Sequence, residues 1–269
     1  MQTMTHSTHP TSSPWRIVGA KALGTSHVKT NQSCQDAFAY HSLPHALIIS
    51  VSDGAGSAAK AEVGANVLAR VSVNFLIEHL AAGTPNTEAI WQETIQQTFQ
   101  AARTALEAQA ESDLRDYAAT LMVVVVTDQW TVGGLVGDSV AVVMNEAEEM
   151  TVLCTPQKGE YANTTNFLSQ PNILAVLEVQ ARPERSMGVA VFSDGLHSLA
   201  VNLAQNKPHV PFFKPLFAFV AAIDDQLAAD EQLTLFLNSE RVNARTDDDK
   251  TLVLARRREL TALESEPTI

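Results

Sequence analysis

Residues 46–54 read ALIISVSDG, an unbroken apolar run that ends in an Asp-Gly turn. A continuous run of this length, bounded by a turn, is typical of a strand that is buried on both faces of a sheet. A second stretch of the same form, GVAVFSDG, spans residues 188–195. The repetition predicts two central strands, each followed at once by an aspartate.

The segments around these two runs predict an α+β fold with antiparallel sheets. Apolar residues recur at helical spacing in four stretches, at 58–82, 87–111, about 213–224 and about 228–240. Strand-like runs lie at 15–23, 36–43, 119–127, 130–146, 150–154 and 250–257. Most neighbouring strands are joined by links too short for a parallel crossover, so we expect them to pair antiparallel.

The chain shows no linker and no tandem repeat, which favours one domain over residues 15–258. Polar tails at 1–14 and 259–269 are expected to be disordered or peripheral. Residues 155–185 are rich in proline, glycine and asparagine and predict an irregular excursion, with one or two short strands at NILAVLEVQ (172–180).

Composition excludes several functional classes. The 18 basic and 30 acidic residues give a net charge of −12, which opposes binding to nucleic acid or to an anionic membrane. No apolar run is long enough for a transmembrane helix, and the N-terminus does not resemble a signal peptide. The two cysteines, Cys34 and Cys154, are interpreted as reduced thiols of a cytoplasmic protein.

Aspartates recur at the ends of the predicted strands. They are Asp36, Asp53, Asp138, Asp194 and Asp248. A single Asp-Gly pair is usually only a turn, because both residues suit turn geometry. If the strands lie side by side, however, the carboxylates converge and repel one another unless cations lie between them. Hard cations such as Mg²⁺ or Mn²⁺ take oxygen ligands of this kind, so a metal site and a set of ordinary turns both remain open.

The order of these motifs resembles that of the metal-dependent protein phosphatases of the PPM, or type 2C, family. The resemblance covers about residues 16–256. The matching segments are Gln35-Asp36-Ala37, Val51-Ser52-Asp53-Gly54-Ala55-Gly56, Ala119-Thr120-Leu121, Val136-Gly137-Asp138-Ser139, Phe192-Ser193-Asp194-Gly195-Leu196 and Asp248-Asp249-Lys250-Thr251. Each is short, but their joint order over most of the chain is specific.

The resemblance implies a four-layer α-β-β-α sandwich with two divalent cations, Mg²⁺ or Mn²⁺, at one end. By position, Asp53 would bridge both metals, the Gly54 carbonyl would bind one, and Asp194 and Asp248 would bind the other. These three aspartates would be catalytic through a metal-activated water. Asp36 would act through metal-bound water, and Asp138 with Asp194 would support a third, weaker metal.

The chain departs from the family at the phosphate contact. Many members carry an arginine five residues before the first motif aspartate, where this chain has Asn31. His27 or Lys29 could supply that contact, or both could be solvated loop residues. Other departures are Ala55, Ser57, Val140 and Asp249, in place of residues common in the family.

The resemblance implies hydrolysis of phosphoserine and phosphothreonine in proteins, with a phosphoprotein of a partner kinase as substrate. Residues 155–185 fall where the family has a flap beside the active site. The missing arginine also keeps open a regulatory pseudophosphatase that binds a partner without turnover. Hydrolysis of a small phosphate ester is a more distant alternative.

Overall fold

A computed structural model describes residues 13–157 and 165–258. The predicted tails at 1–12 and 259–269, and residues 158–164 of the predicted flap, lie outside the described residues. Ser13, which the tail prediction included, is buried, and its hydroxyl hydrogen bonds with that of Ser42 at 2.8 Å. Pro14 accepts a hydrogen bond from the Arg258 amide at 2.8 Å. The tail prediction was therefore wrong for these two residues, which belong to the folded part.

Twelve strands form in the described parts of the chain. They are β1 (Trp15–Ala22), β2 (Ala37–Ser42), β3 (Ala46–Ser52), β4 (Leu121–Thr127), β5 (Thr131–Val136), β6 (Val140–Met144), β7 (Met150–Val152), β8 (Glu178–Arg182), β9 (Gly188–Phe192), β10 (Val201–Asn202), β11 (Lys207–Pro208) and β12 (Lys250–Arg257). The first sheet has the order β1-β12-β9-β6-β7, and the second has the order β2-β3-β4-β5-β8. Every pairing within them is antiparallel, and β10 and β11 form a separate hairpin.

Eight α-helices accompany these strands in the same described residues. They are α1 (Thr25–Thr30), α2 (Ala61–Ala81), α3 (Glu88–Gln109), α4 (Ile173–Val176), α5 (His197–Ala200), α6 (Val210–Ala221), α7 (Gln226–Leu237) and α8 (Glu240–Asn243). The helices α2 and α3 pack on the outer face of the second sheet, and α6 and α7 pack on that of the first. The predicted α-β-β-α sandwich is thus confirmed.

The unbroken apolar runs are explained by burial on both faces of the strands. In β3, Leu47 and Ile49 point into the layer between the two sheets, whereas Ile48 points toward α2 and α3. In β12, Val253 lies between the sheets and Leu254 faces α6 and α7. Because successive side chains alternate between the two faces, a strand covered on both sides is largely apolar, and the polar exceptions of β3, Ser50 and Ser52, are themselves buried.

Short elements account for most differences from the sequence prediction. The helix α1 and the β10–β11 hairpin were not predicted, because six-residue and two-residue elements carry no readable periodicity. The stretch at 172–180 was predicted as one or two short strands, but its first part is the helix α4 and only Glu178–Arg182 is a strand. The helix α4 is only four residues long and apolar, so its sequence could not be distinguished from that of a short strand.

None of the helices in the described part of the chain is both long and apolar enough to cross a membrane. The longest ones, α2 and α3, instead pack against each other and against the second sheet.

Gly64, inside α2, offers a test of this packing. An alanine within a helix usually stabilises it relative to glycine by about 1 kcal/mol. At Gly64, however, an added Cβ would overlap the carbonyl oxygen of Tyr117. We therefore expect Gly64→Ala to lower the free energy of unfolding by about 1–3 kcal/mol, measured by urea denaturation.

Gly56 provides the matched control for that substitution. A Cβ built on Gly56 meets nothing within 4 Å. Gly56→Ala should therefore leave the free energy of unfolding unchanged or slightly raised. Equal stability of the two variants would contradict the close approach of α2 to Tyr117.

Candidate metal centre

Asp53 follows β3 directly and is held in place by residues that immediately precede β4. Its amide donates to Thr120 Oγ1 at 3.0 Å, and its carbonyl accepts from the Thr120 amide at 2.8 Å. Gly54 forms a β-bridge with Ala119, and a Cβ there would lie 2.8 Å from the Gln35 carbonyl oxygen. Only glycine fits this turn, which explains why Asp53 is followed by Gly54.

Asp194 and Asp138 approach from the other two strand ends. Asp194 begins a 3₁₀ turn after β9, and a Cβ on the next residue, Gly195, would overlap the Asp249 carbonyl oxygen. Asp138 lies between β5 of the second sheet and β6 of the first. Its Oδ2 accepts a hydrogen bond from Thr165 at 2.8 Å, and its carbonyl oxygen lies 2.9 Å from His197 Nε2.

These three aspartates meet in one cluster. One carboxylate oxygen from each of Asp53, Asp138 and Asp194 lies within 4.8 Å of the others. All three line a cavity of about 190 Å³, together with Asp248 and Gly54. The structure therefore brings together four of the five strand-end aspartates on one cavity wall.

Asp36 lies beneath the cavity rather than on its surface. It is 1% exposed, and its Oδ2 accepts a hydrogen bond from Ser193 Oγ at 2.7 Å. Its Oδ1 has no hydrogen-bond partner in the described structure. The Lys21 ammonium donates to the Asp36 carbonyl oxygen at 2.7 Å, so the backbone is fixed as well as the side chain.

Burial and mutual repulsion make these carboxyl groups weak acids. Burial raises the pKa of Asp36 to about 7. Burial also raises the pKa of Asp53 well above its usual value, and the charges of Asp36 and Asp194 raise it further. The pKa of Asp194 is raised by burial and then by Asp138. Such a cluster favours either protons or bound cations.

The predicted phosphate-contact residues separate in the structure. His27 is buried and lines the cavity, with its Nδ1 2.9 Å from Asp249 Oδ2. Lys29 is exposed and is not among the described residues that line the cavity. Asn31 ends α1 in the left-handed conformation with φ 56° and donates its amide to the carbonyls of His27 and Val28.

Sequence analysis missed several residues that support the cluster. Thr165 and His197 hydrogen bond to Asp138, and Ser193, from the quoted motif around Asp194, hydrogen bonds to Asp36 below the cluster; none has a ligand-like spacing in the sequence. Thr120 stands inside a quoted motif, but its role in holding Asp53 became visible only from the pairing of β3 with β4. These contacts join residues that are distant in the sequence, so only the folded structure reveals them.

The residues present fit a site for divalent cations. The cluster consists of carboxylates, which are the ligands that Mg²⁺ and Mn²⁺ prefer. Two buried oxygens, Asp36 Oδ1 and Asp138 Oδ1, lack a hydrogen-bond partner in the described residues, and such atoms are costly unless something binds them. A cation would satisfy these oxygens and offset the repulsion.

Comparison with known proteins gives one family. The family model described as protein phosphatase 2C matches residues 23–238. Serine/threonine-protein phosphatase 3 of Escherichia coli (strain K12) is 35% identical over 251 residues, covering 90% of this chain and 98% of that protein.

Solved structures show the same fold at low identity. The serine/threonine phosphatase PstP/Ppp of Mycobacterium tuberculosis has a TM-score of 0.58 at 15% identity, covering 91% of this chain and 99% of that one. RsbX in complex with magnesium has a TM-score of 0.51 at 15% identity, covering 90% and 95%.

Asp36 allows a test of the charge repulsion without metal. The pKa of Asp36 is higher in the folded protein than in the unfolded chain, so folding favours the protonated carboxyl group. The contribution of this group to stability is therefore fully present below its unfolded pKa near 3.8 and is lost as pH rises through about 7. In EDTA, Asp36→Asn should therefore gain in melting temperature over wild type from about pH 5 to about pH 8. A gain that does not change with pH would contradict the raised pKa.

Asp113 is the matched control for this measurement. It is exposed, and its hydrogen bonds with Arg115 lower its pKa to about 2. Asp113→Asn should therefore show no growing difference from wild type across the same pH range.

Proposed function

The chain belongs to the protein phosphatase 2C family of protein serine/threonine phosphatases, and we propose that it hydrolyses phosphoserine and phosphothreonine with two bound divalent cations, Mn²⁺ or Mg²⁺. The observation that carries the proposal is the meeting of Asp53, Asp138 and Asp194 within 4.8 Å in one cavity. The 35% identity to an E. coli protein named as a serine/threonine-protein phosphatase supports the reaction class.

The residues that would hold the cations are those that the family motifs match. In this proposal Asp53 is shared between two cations, and the Gly54 carbonyl, Asp194 and Asp248 complete their protein ligands. Asp36 acts through an intervening water, since it is buried below the cavity. Asp138, close to Asp194, supports a third cation. The magnesium in the solved RsbX structure is consistent with Mg²⁺ as one candidate ion.

When bound, two divalent cations would acidify water to form a nucleophile near neutral pH and would offset charge on the phosphoryl oxygens. The protein groups hold the ligands in place for that role. Thr120 anchors the Asp53 backbone, Ser193 orients Asp36, and Thr165 binds Asp138. This preorganisation limits the rearrangement needed when the substrate arrives.

A cysteine nucleophile is not favoured by the thiols of this chain. Burial raises the pKa of Cys34 to about 12, and the pKa of the buried Cys154 is raised further. A thiol with a raised pKa carries little of the reactive thiolate at neutral pH. Neither cysteine lines the described cavity. Hydrolysis by activated water therefore fits the site better than a covalent thiophosphate route.

The proposed substrate is a phosphorylated protein, matched to a serine/threonine kinase. The cavity has a volume of about 190 Å³, and Thr165 and Phe167 of the flap region form part of its wall. Thr165 and Phe167 are therefore proposed to contact the substrate beside its phosphoryl group.

The central test is metal-dependent turnover by the purified chain. Wild type should hydrolyse p-nitrophenyl phosphate and a phosphoserine peptide with Mn²⁺ and lose activity in EDTA. Asp53→Ala and Asp194→Ala should each lower kcat by about 100-fold or more, because each removes a preorganised charge at the reacting centre.

Asp128→Asn is the control for these variants. Asp128 is 70% exposed and lies in the turn between β4 and β5, at the opposite end of β4 from the cavity. Its kcat should equal that of wild type. Calorimetric Mn²⁺ binding without any turnover in wild type would instead favour the pseudophosphatase, and absence of both would refute the metal centre.

A further inference from the structure

Asp249 is a buried carboxylate with three hydrogen-bond donors around it. Its Oδ1 accepts from the Gly24 amide at 2.7 Å. Its Oδ2 accepts from the Gln35 amide at 2.6 Å and lies 2.9 Å from His27 Nδ1. The residue is 3% exposed. Asp249 thereby joins α1 and the segment before β2 to the loop that carries Asp248.

The three donors explain why this position holds an aspartate where family members commonly hold an asparagine. Both oxygens of Asp249 act as acceptors here. An asparagine has one oxygen and one NH₂ group, so one of its two ends would face an amide donor with another donor. An aspartate therefore fits the three donors at this position better than an asparagine would.

The contact with Asp249 fixes the direction of the His27 ring. A carboxylate bound to one ring nitrogen of an imidazole sets its tautomer and orientation. Nδ1 faces Asp249, which leaves Nε2 on the opposite side of the ring. Among the described residues Nε2 has no hydrogen-bond partner, and it is not completely buried. Since His27 lines the cavity, Nε2 is open to a ligand there.

His27 is also distinct in charge among its neighbours. The described residues that line the cavity include the carboxylates of Asp53, Asp138, Asp194 and Asp248, and His27 is the one among them whose side chain can be cationic. A phosphoryl group entering this acidic cavity needs donors from the protein as well as bound cations. A protonated imidazole donates from both nitrogens, one to Asp249 and one to an anion.

We infer that His27 contacts the phosphoryl group through Nε2 and that Asp249 is the positioning residue that holds it there. The pair takes the place of the arginine that family members carry at the position of Asn31. Asn31 ends α1 in the left-handed conformation and is not among the described residues that line the cavity. The inference rests on the proposed function, since it concerns the same cavity and the same substrate.

The direct test measures binding of inorganic phosphate to the Mn²⁺-loaded protein by calorimetry. His27→Ala should weaken phosphate binding by about 10- to 100-fold, the expected range for loss of a hydrogen bond to a charged group. Mn²⁺ affinity should stay within about twofold of wild type, because His27 is not a proposed ligand. In turnover, KM should rise more than kcat falls, and added imidazole should restore part of the loss.

His45→Ala is the matched histidine control. His45 is exposed and precedes β3, which is seven residues long and is followed by Asp53, so it lies about 23 Å from the site. Its phosphate affinity should equal that of wild type. If Lys29→Ala weakens phosphate binding and His27→Ala does not, the contact belongs to Lys29 and the inference is overturned.

Asp249→Asn and the double variant test the positioning role. Asp249→Asn should weaken phosphate binding in the same direction as His27→Ala. Adding it to His27→Ala should cause little further loss, because Asp249 acts through His27. Additive losses would overturn the positioning role. His27→Asn serves as a second variant, and melting temperatures identify any variant that has unfolded.

Failure of this inference can be distinguished from failure of the proposed function. Phosphate binding is measured directly, so it is informative whether or not wild type hydrolyses a phosphoester. Wild type that turns over substrate, with His27→Ala equal to it in phosphate affinity, overturns only the role of His27. Wild type that binds no Mn²⁺ overturns the metal centre itself.

Discussion

The apolar layer between the two sheets sets the distances on which the acidic cluster depends. Asp53 follows a strand of the second sheet and Asp194 follows a strand of the first, so only the packing of one sheet on the other brings them together. Two carboxylates about 4 Å apart repel by about 4 kcal/mol at an effective dielectric constant near 20. Fully burying one valine, leucine or isoleucine contributes about 1.5–3 kcal/mol. A few residues of this layer, such as Ile49, Val124 and Val253, therefore offset one repelling pair.

The same packing explains how much of the fold the sequence could predict. Strands covered on both faces are largely apolar, so the runs at 46–54 and 188–195 predicted the two central strands and the aspartates that follow them. Partners distant in sequence carry no such signal. His27 and Asp249 are 222 residues apart, and Thr165 of the flap region is 27 residues from Asp138. Those contacts depend on the tertiary arrangement and not on a local period, so the sequence could name His27 as a candidate but could not give it a partner.

Several departures from the family pattern have local physical causes. Val140 begins β6 and is completely buried in the core between the first sheet and its helices, where an arginine would need a partner for its charge. Asn31 occupies a left-handed helix end, a conformation that asparagine tolerates better than most residues. Asp249 is buried, and its two carboxylate oxygens accept hydrogen bonds from three donors. These substitutions follow from the structure around them and leave the clustered carboxylates intact.

The charge of the cavity fixes an order of events in the proposed mechanism. A phosphate monoester carries a charge of about −1.5 to −2 near neutral pH. The cavity wall carries the carboxylates of Asp53, Asp138, Asp194, Asp248 and Asp249, and one imidazolium at His27 supplies at most a single positive charge. His27 alone therefore cannot overcome the repulsion between wall and substrate. In the proposed mechanism, bound divalent cations would offset the charge of the wall, and His27 would then contact a phosphoryl group in a cavity that no longer repels it. Under that proposal, the acidic cluster and the histidine would both be needed to bind one substrate.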